Sequence, residues 1–163
     1  MVIRMLPIIL ALTLEVAVPL QDTKAPADAQ IQLRRTSCFG ACPVYTVTID
    51  ARGEVTYVGE KFVRVVGRQT AHIDPSVVAK LLARAESIRF FELLDAYREI
   101  HNPDGSVTTV TDLPTTIITI RANGRTKSVE DYLAAPEALK GFEREIDEAA
   151  GTKRWTLGDG AKR

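Results

Sequence analysis

The chain is poor in the residues from which most recognisable chemistry is built. Its 163 residues include two cysteines, two histidines and one tryptophan, and aromatics make up 6%. Two cysteines cannot form a zinc-binding cysteine quartet, and neither an HExxH helix nor a glycine-rich phosphate loop occurs. Charge of one sign is lacking as well. Lys+Arg and Asp+Glu number 21 each, for a formal net charge of zero. Such a balance supplies no field for holding a polyanion along the whole molecule, so nucleic acid is not expected as a partner. No apolar run is long enough to span a bilayer. Leu6 to Leu14 is the longest, Glu15 interrupts it, and a spanning helix needs about 20 apolar residues. Internal repeats and low-complexity blocks are absent too.

What is present begins with an export pattern. Arg4 supplies a short positive region and Leu6 to Leu14 the apolar core of a signal peptide. Ala27-Asp28-Ala29 has the small-x-small pattern of a cleavage site. Residues 1–29 are therefore expected to be signal peptide and linker, 30–156 a single domain, and 157–163 a flexible tail. The expected location is secreted or periplasmic.

Through the domain, hydrophobic periodicity gives four strands, a helix, two strands and a helix. Ile31 to Thr36 is short. Val44 to Asp50 alternates, with Tyr45, Val47 and Ile49 on one face and Thr46 and Thr48 on the other. Asp50-Ala51-Arg52-Gly53 turns the chain into Glu54 to Val58, with Val55 and Tyr57 inward, and Gly67 to Ile73 makes a fourth strand. Asp74 then caps a helix that Pro75 opens. Val77, Val78, Leu81, Leu82, Ala85 and Ile88 form its apolar face. Phe90, Phe91 and Leu94 are expected to extend the core.

Arg98 to Leu113 shows no period and reads as a long loop. Pro114 to Ala122 and Thr126 to Val129 pair through Asn123-Gly124, with Val129 opposite Ile118. The second helix starts at Pro136, carries Leu139, Phe142, Ile146 and Ala149 on one side, and stops at Gly151. Trp155 is expected in a fraying tail. Short hairpins argue for an α+β fold: an antiparallel sheet of about six strands with both helices on one face.

The most unusual stretch is Cys38-Phe39-Gly40-Ala41-Cys42-Pro43-Val44-Tyr45. Extended, the two cysteines would lie about 13 Å apart, whereas a disulfide needs Cα atoms about 4.4–6.8 Å apart. A bridge thus requires Phe39-Gly40-Ala41 to turn, which Gly40 permits. In an oxidising compartment a Cys38–Cys42 disulfide is expected. Two alternatives stay open. Cys-x-x-x-Cys-Pro with a distant histidine resembles the copper-binding motif of the copper chaperones that serve cytochrome oxidase. Cys38, Cys42 and His72 or His101 would then be ligands, although in that family the motif opens a helix rather than a strand. A reversible redox pair is the other. In the long loop, His101, Asp104 and Asp112 are candidates for a hydrolytic site. His72, flanked by Ala71 and Ile73, reads as structural, and Tyr132 as packing under the second helix.

CFGACPVYTVTI resembles a bacterial family, the domain of unknown function 6438 family, built on a CFG-x-CPVY motif and a following hairpin. Phe90-Phe91-Glu92-Leu93 with Asp95 and Tyr97, Thr111-Asp112-Leu113-Pro114-Thr115-Thr116, Asp131-Tyr132 with Ala135-Pro136, and Ile146-Asp147 before Arg154-Trp155 extend the similarity over about residues 30–156. The resemblance implies a small, exported α+β domain and brings no activity, so no catalytic residue follows from it. The favoured expectation is a non-enzymatic module that binds a protein or cell-envelope component, without a cofactor. A clustered pocket of ionisable groups would instead favour catalysis.

Overall fold

The computed structural model describes residues 24–156; the stretches expected to be a signal-peptide core, 6–14, and a tail, 157–163, lie outside them. Its sheet is built from β1 (Gln30–Arg35), β2 (Val44–Asp50), β3 (Glu54–Lys61), β4 (Gly67–His72), β5 (Ala96–Tyr97), β8 (Thr116–Ala122) and β9 (Arg125–Asp131). A separate pair, β6 (Ile100–His101) and β7 (Val107–Thr108), forms a small hairpin. Helices α1 (Pro75–Ser87), α2 (Glu137–Ala150) and α3 (Lys153–Thr156) complete the chain.

Strand order is β4-β3-β2-β1-β8-β9-β5. All neighbours are antiparallel except β5, which pairs parallel to β9. The fold is α+β, as the periodicity predicts. Residues 98–113, expected to be a structureless loop, hold the β6–β7 hairpin, and β5 just before them joins the sheet edge. Both pairings are two residues per strand, too short to leave a hydrophobic period.

Alternation decides the inner face. Ile31, Leu33, Val47, Ile49, Val55, Tyr57, Ile118 and Ile120 are buried, and form one cluster with Val78 and Leu81 of α1 and Leu139, Phe142 and Ile146 of α2. Burying each such side chain contributes about 1.5–3 kcal/mol. The turn and cap signals act where the sequence places them. The Asp74 carboxylate accepts the Ser76 N–H at 2.8 Å, and Asn123 and Gly124 take φ of 53° and 71° in the β8–β9 turn. Gly151 ends α2 at φ 65°.

Four expectations need correction. Trp155 is buried, and its ring stacks on Tyr57 with centroids 4.9 Å apart. It sits in α3, and its carbonyl accepts the Val65 N–H. The stretch before β1 is docked rather than a free linker. Ala25 and Ala29 are buried, and the Asp28 carboxylate accepts the N–H groups of Asn123 and Gly124 at 3.0 and 2.7 Å. Leu94 is exposed, because the chain leaves the core at Leu93, which turns extended after a short 3-10 turn. The Tyr132 hydroxyl faces the 98–113 segment instead of α2: it donates to the Val110 carbonyl and accepts from the Leu113 N–H.

Candidate functional site

The β1–β2 connection leaves the sheet at its Arg35/Tyr45 end and is closed by a disulfide between Cys38 and Cys42, whose Cα atoms are 5.7 Å apart. Gly40, at φ 155°, makes the turn inside it. The ring presents Phe39 outward, 90% exposed. An aromatic side chain held so far into water loses the stabilisation that burial would give it, and within this loop no core lies within its reach.

The second loop of this end holds the first in place. The Phe39 N–H donates to the Asp112 carbonyl at 3.1 Å, and the Thr36 N–H to the Thr115 carbonyl at 2.9 Å. The Thr115 N–H returns to the Thr36 hydroxyl at 2.9 Å. Asp112 takes a left-handed backbone, φ 67°, which aspartate tolerates better than most residues. The Tyr132 hydroxyl clamps Val110 and Leu113 beneath. Ile100, Val107 and Val110 of the same segment are exposed apolar side chains.

Beneath the loops, the last inner row of the sheet is polar. In register it reads Tyr45, Arg35, Thr116, Asp131 across β2, β1, β8 and β9. Helix α2 lays Glu143 and Asp147 over that row. Arg35 donates to Asp147 Oδ2 through Nε at 3.1 Å and Nη2 at 2.8 Å, and to the Thr116 hydroxyl at 2.9 Å. Asp147 Oδ1 accepts from the Tyr45 and Thr152 hydroxyls, both at 2.8 Å. Four donors fill this carboxylate's accepting positions, so Asp147 has no lone pair free for chemistry. Burial, followed by the charge of Asp147, pushes the Tyr45 phenol well above its ordinary range.

Glu143 is the least satisfied member of the arrangement. Its Oε2 is 3.6 Å from Arg35 Nη1, while Oε1 is buried with no hydrogen-bond partner among the described residues. Burial pushes its carboxyl up to about 7; Arg35 pulls the other way and Asp131 adds to the rise. The Arg35 guanidinium thus faces two carboxyl groups, and the second of them, Glu143, also has Asp131 beside it. This is a cluster of ionisable groups, the feature that would speak for catalysis. A surface hollow of about 400 Å³ reaches Tyr45, Asp147, Thr152 and Lys153, while neither Glu143 nor Asp131 lines it. The cluster's bonds run between β1, β2, β8 and α2, and they fasten the helix to the sheet end that carries the disulfide loop.

The other sequence candidates fall apart in space. His72 pairs with Glu54, at the opposite end of the sheet from the cysteines. Six residues of β2 separate the two ends, roughly 20 Å at strand rise. His101 is largely exposed on the β6–β7 hairpin, 3.9 Å from Glu99. The Asp104 side chain is occupied in its own turn, accepting from the Ser106 N–H and hydroxyl, which hold its carboxyl below the usual range. Among the described residues no group of three His, Cys, Asp or Glu side chains is placed to hold a metal ion. With both sulfurs in the disulfide, neither is a thiolate available to a metal in this state. Sequence reasoning did not single out Arg35 and Glu143 as site residues, and marked Asp147 only as a position shared with the resembling family. Arg35 follows Ile31 and Leu33 at two-residue spacing in β1, and only that strand phase hints that a charge enters the core.

Among the described residues no helix is long and apolar enough to cross a membrane. No curated protein matches the chain. The family model described as "Domain of unknown function (DUF6438)" matches residues 29–150, which takes in the disulfide loop, the polar row and all of α2, and the chain belongs to that family.

Proposed function

We propose that this is an exported, non-enzymatic binding module that recognises a protein or envelope component through the disulfide-closed loop. One observation carries the reading: Phe39 stands 90% exposed on a ring of five residues whose backbone is hydrogen-bonded to a second loop. Pre-ordering an aromatic anchor lowers the entropy lost on binding, and aromatic anchors dominate interface energetics. The disulfide accords with an oxidising compartment, and the apolar run of residues 6–14 supplies the export signal.

The test is a photo-reactive phenylalanine analogue at position 39, in cells that export the protein, with the same analogue at Lys80 on α1 as control. A discrete cross-linked species at position 39, absent at position 80 and lost in C38S/C42S, is the expected result. Equal yields at both positions would sink the proposal. A second reading, thiol–disulfide exchange at the same bond, draws on the partial exposure of both cysteines. A reduction potential well above about −300 mV, the ordinary ceiling for structural disulfides, would favour it.

A further inference from the structure

The face of the sheet turned away from the helices carries a row of small hydrogen-bonding side chains that no single segment reveals. Thr70 lies opposite Thr56, Thr56 opposite Thr48, and Thr48 opposite Gln32. Gln32 lies opposite Thr119, and Thr119 opposite Ser128. Six adjacent strands thus align one hydroxyl or amide each, at about 4.8 Å intervals, over roughly 24 Å. The Gln32 amide donates to the Thr48 hydroxyl at 3.3 Å, and the Thr119 and Ser128 hydroxyls share a bond of 3.0 Å. Side-chain hydroxyls so arranged retain free donor and acceptor positions toward solvent. A shallow hollow of about 420 Å³ opens over Gln32, Thr46, Thr48, Thr56, Val58 and Arg68.

Charge on this face is asymmetric once the ion pairs are removed. Asp50 and Glu54 both face Arg52, at 3.0 and 3.5 Å, and Glu130 faces Arg98 at 2.8 Å. Arg34, Arg68 and Arg121, which flank the neutral row on its two sides, have no carboxylate within 4.0 Å among the described residues. Glu60, which has no ion-pair partner among the described residues, is an acid of the same face one step past Val58, where β4 no longer pairs with β3. Arg52 offsets only one of its two acids, so with Glu60 counted the surplus of this face is a single positive charge, although its three arginines stand apart from the acids.

We infer that this face binds a single linear acidic polysaccharide chain lying across the strands. An extended β-1,4-linked pyranose chain advances by a length close to the strand spacing, so each sugar meets one hydroxyl or amide of the row. Its carboxylates meet Arg34, Arg68 and Arg121, with guanidinium forks suited to that geometry. The twist of the sheet excludes a flat crystalline surface as the matching shape and suits one flexible chain. This site uses none of the residues of the disulfide loop and stands or falls apart from the function proposed there.

The probe is a β-1,4-linked mannuronate hexamer titrated into the isotope-labelled full chain, with two-dimensional amide spectra as the readout. Shifts concentrated at Thr46, Thr48, Thr56 and Thr70 are expected, unchanged in F39A. The T48V/T56V variant keeps side-chain shape and should bind at least tenfold more weakly. R34Q/R68Q should lose most of the salt dependence, and each variant's spectral dispersion reports whether it is folded. Three outcomes would overturn the inference: no shifts at millimolar hexamer, shifts confined to residues 36–43 and 98–113, or equal affinity for a single-stranded thymidylate oligomer of the same charge.

Discussion

Replacing Glu143 with glutamine should stabilise the protein, and only above mildly acidic pH. The glutamate is buried, one of its oxygens lacks a partner, and its carboxyl is pushed up to about 7 from an ordinary 4.5. The facing groups are Arg35 from β1, Thr116 from β8, Asp131 from β9 and Asp147 from its own helix. A carboxyl whose folded pKa is raised favours the folded state while protonated. Its contribution is complete below the unfolded pKa and is lost as pH rises through the folded one. The window is therefore about pH 4.5 to 7, and the cost of ionisation across it is about 3 kcal/mol. Glutamine matches the neutral acid in shape and cannot ionise. Urea unfolding of wild type and E143Q at pH 4, 6 and 8 isolates the Glu143 cluster, since groups remote from it titrate alike in both. The two midpoints should nearly coincide at pH 4, and E143Q should gain about 3 kcal/mol by pH 8. A difference that does not change with pH, or a less stable E143Q at pH 8, would refute the reasoning.

Other perturbations test other parts of the structure. Trp155→Ala removes a stacked, buried ring and should cost about 3–5 kcal/mol in urea unfolding, where a fraying tail would cost nothing. The C38S/C42S double substitution should cost about 2 kcal/mol by loop entropy while leaving the amide spectrum of the helices unchanged; collapse of the whole fold would show that the ring does more than shape one loop. Because Asp28 caps the β8–β9 turn and Ala25 is buried, the N-terminus left by signal cleavage, if the chain is exported as proposed, should lie upstream of Ala25. Mass spectrometry of exported protein beginning at Gln30, still folded to the same urea midpoint, would contradict this.

The parts of the fold legible in the sequence are those governed by neighbours. Thr-Val-Thr alternation in β2, Asp74-Pro75 at a helix start and Asn123-Gly124 in a hairpin each act within a few residues, and the structure agrees with them. The two-residue strands β5 and β6 were invisible because they satisfy backbone groups without any apolar period. Both polar rows were invisible for another reason. Arg35 meets Thr116 and Asp147 across separations of 81 and 112 residues, and the hydroxyl row needs the register of five strand pairs at once. Trp155 was misread since a lone aromatic after a helix stop carries no periodicity. What the cysteine motif did reveal was a turn and a bridge. It did not reveal that the ring would hold Phe39 away from the core.

The placement of β1 has a consequence for how the chain reaches its destination. This strand leads the ordered domain in sequence yet occupies the middle of the sheet, with β2 on one edge and β8, more than 80 residues later, on the other. The first half can form a four-stranded meander early, but one edge of β1 stays unpaired until the second half arrives. Contacts at such separation close slowly, since loop entropy is lost before pairing offsets it. During translation the nascent chain is thus held short of a finished sheet. If the chain is exported as proposed, that delay keeps it threadable for translocation, and closure of β1 against β8 becomes the step that commits it to the far side of the membrane.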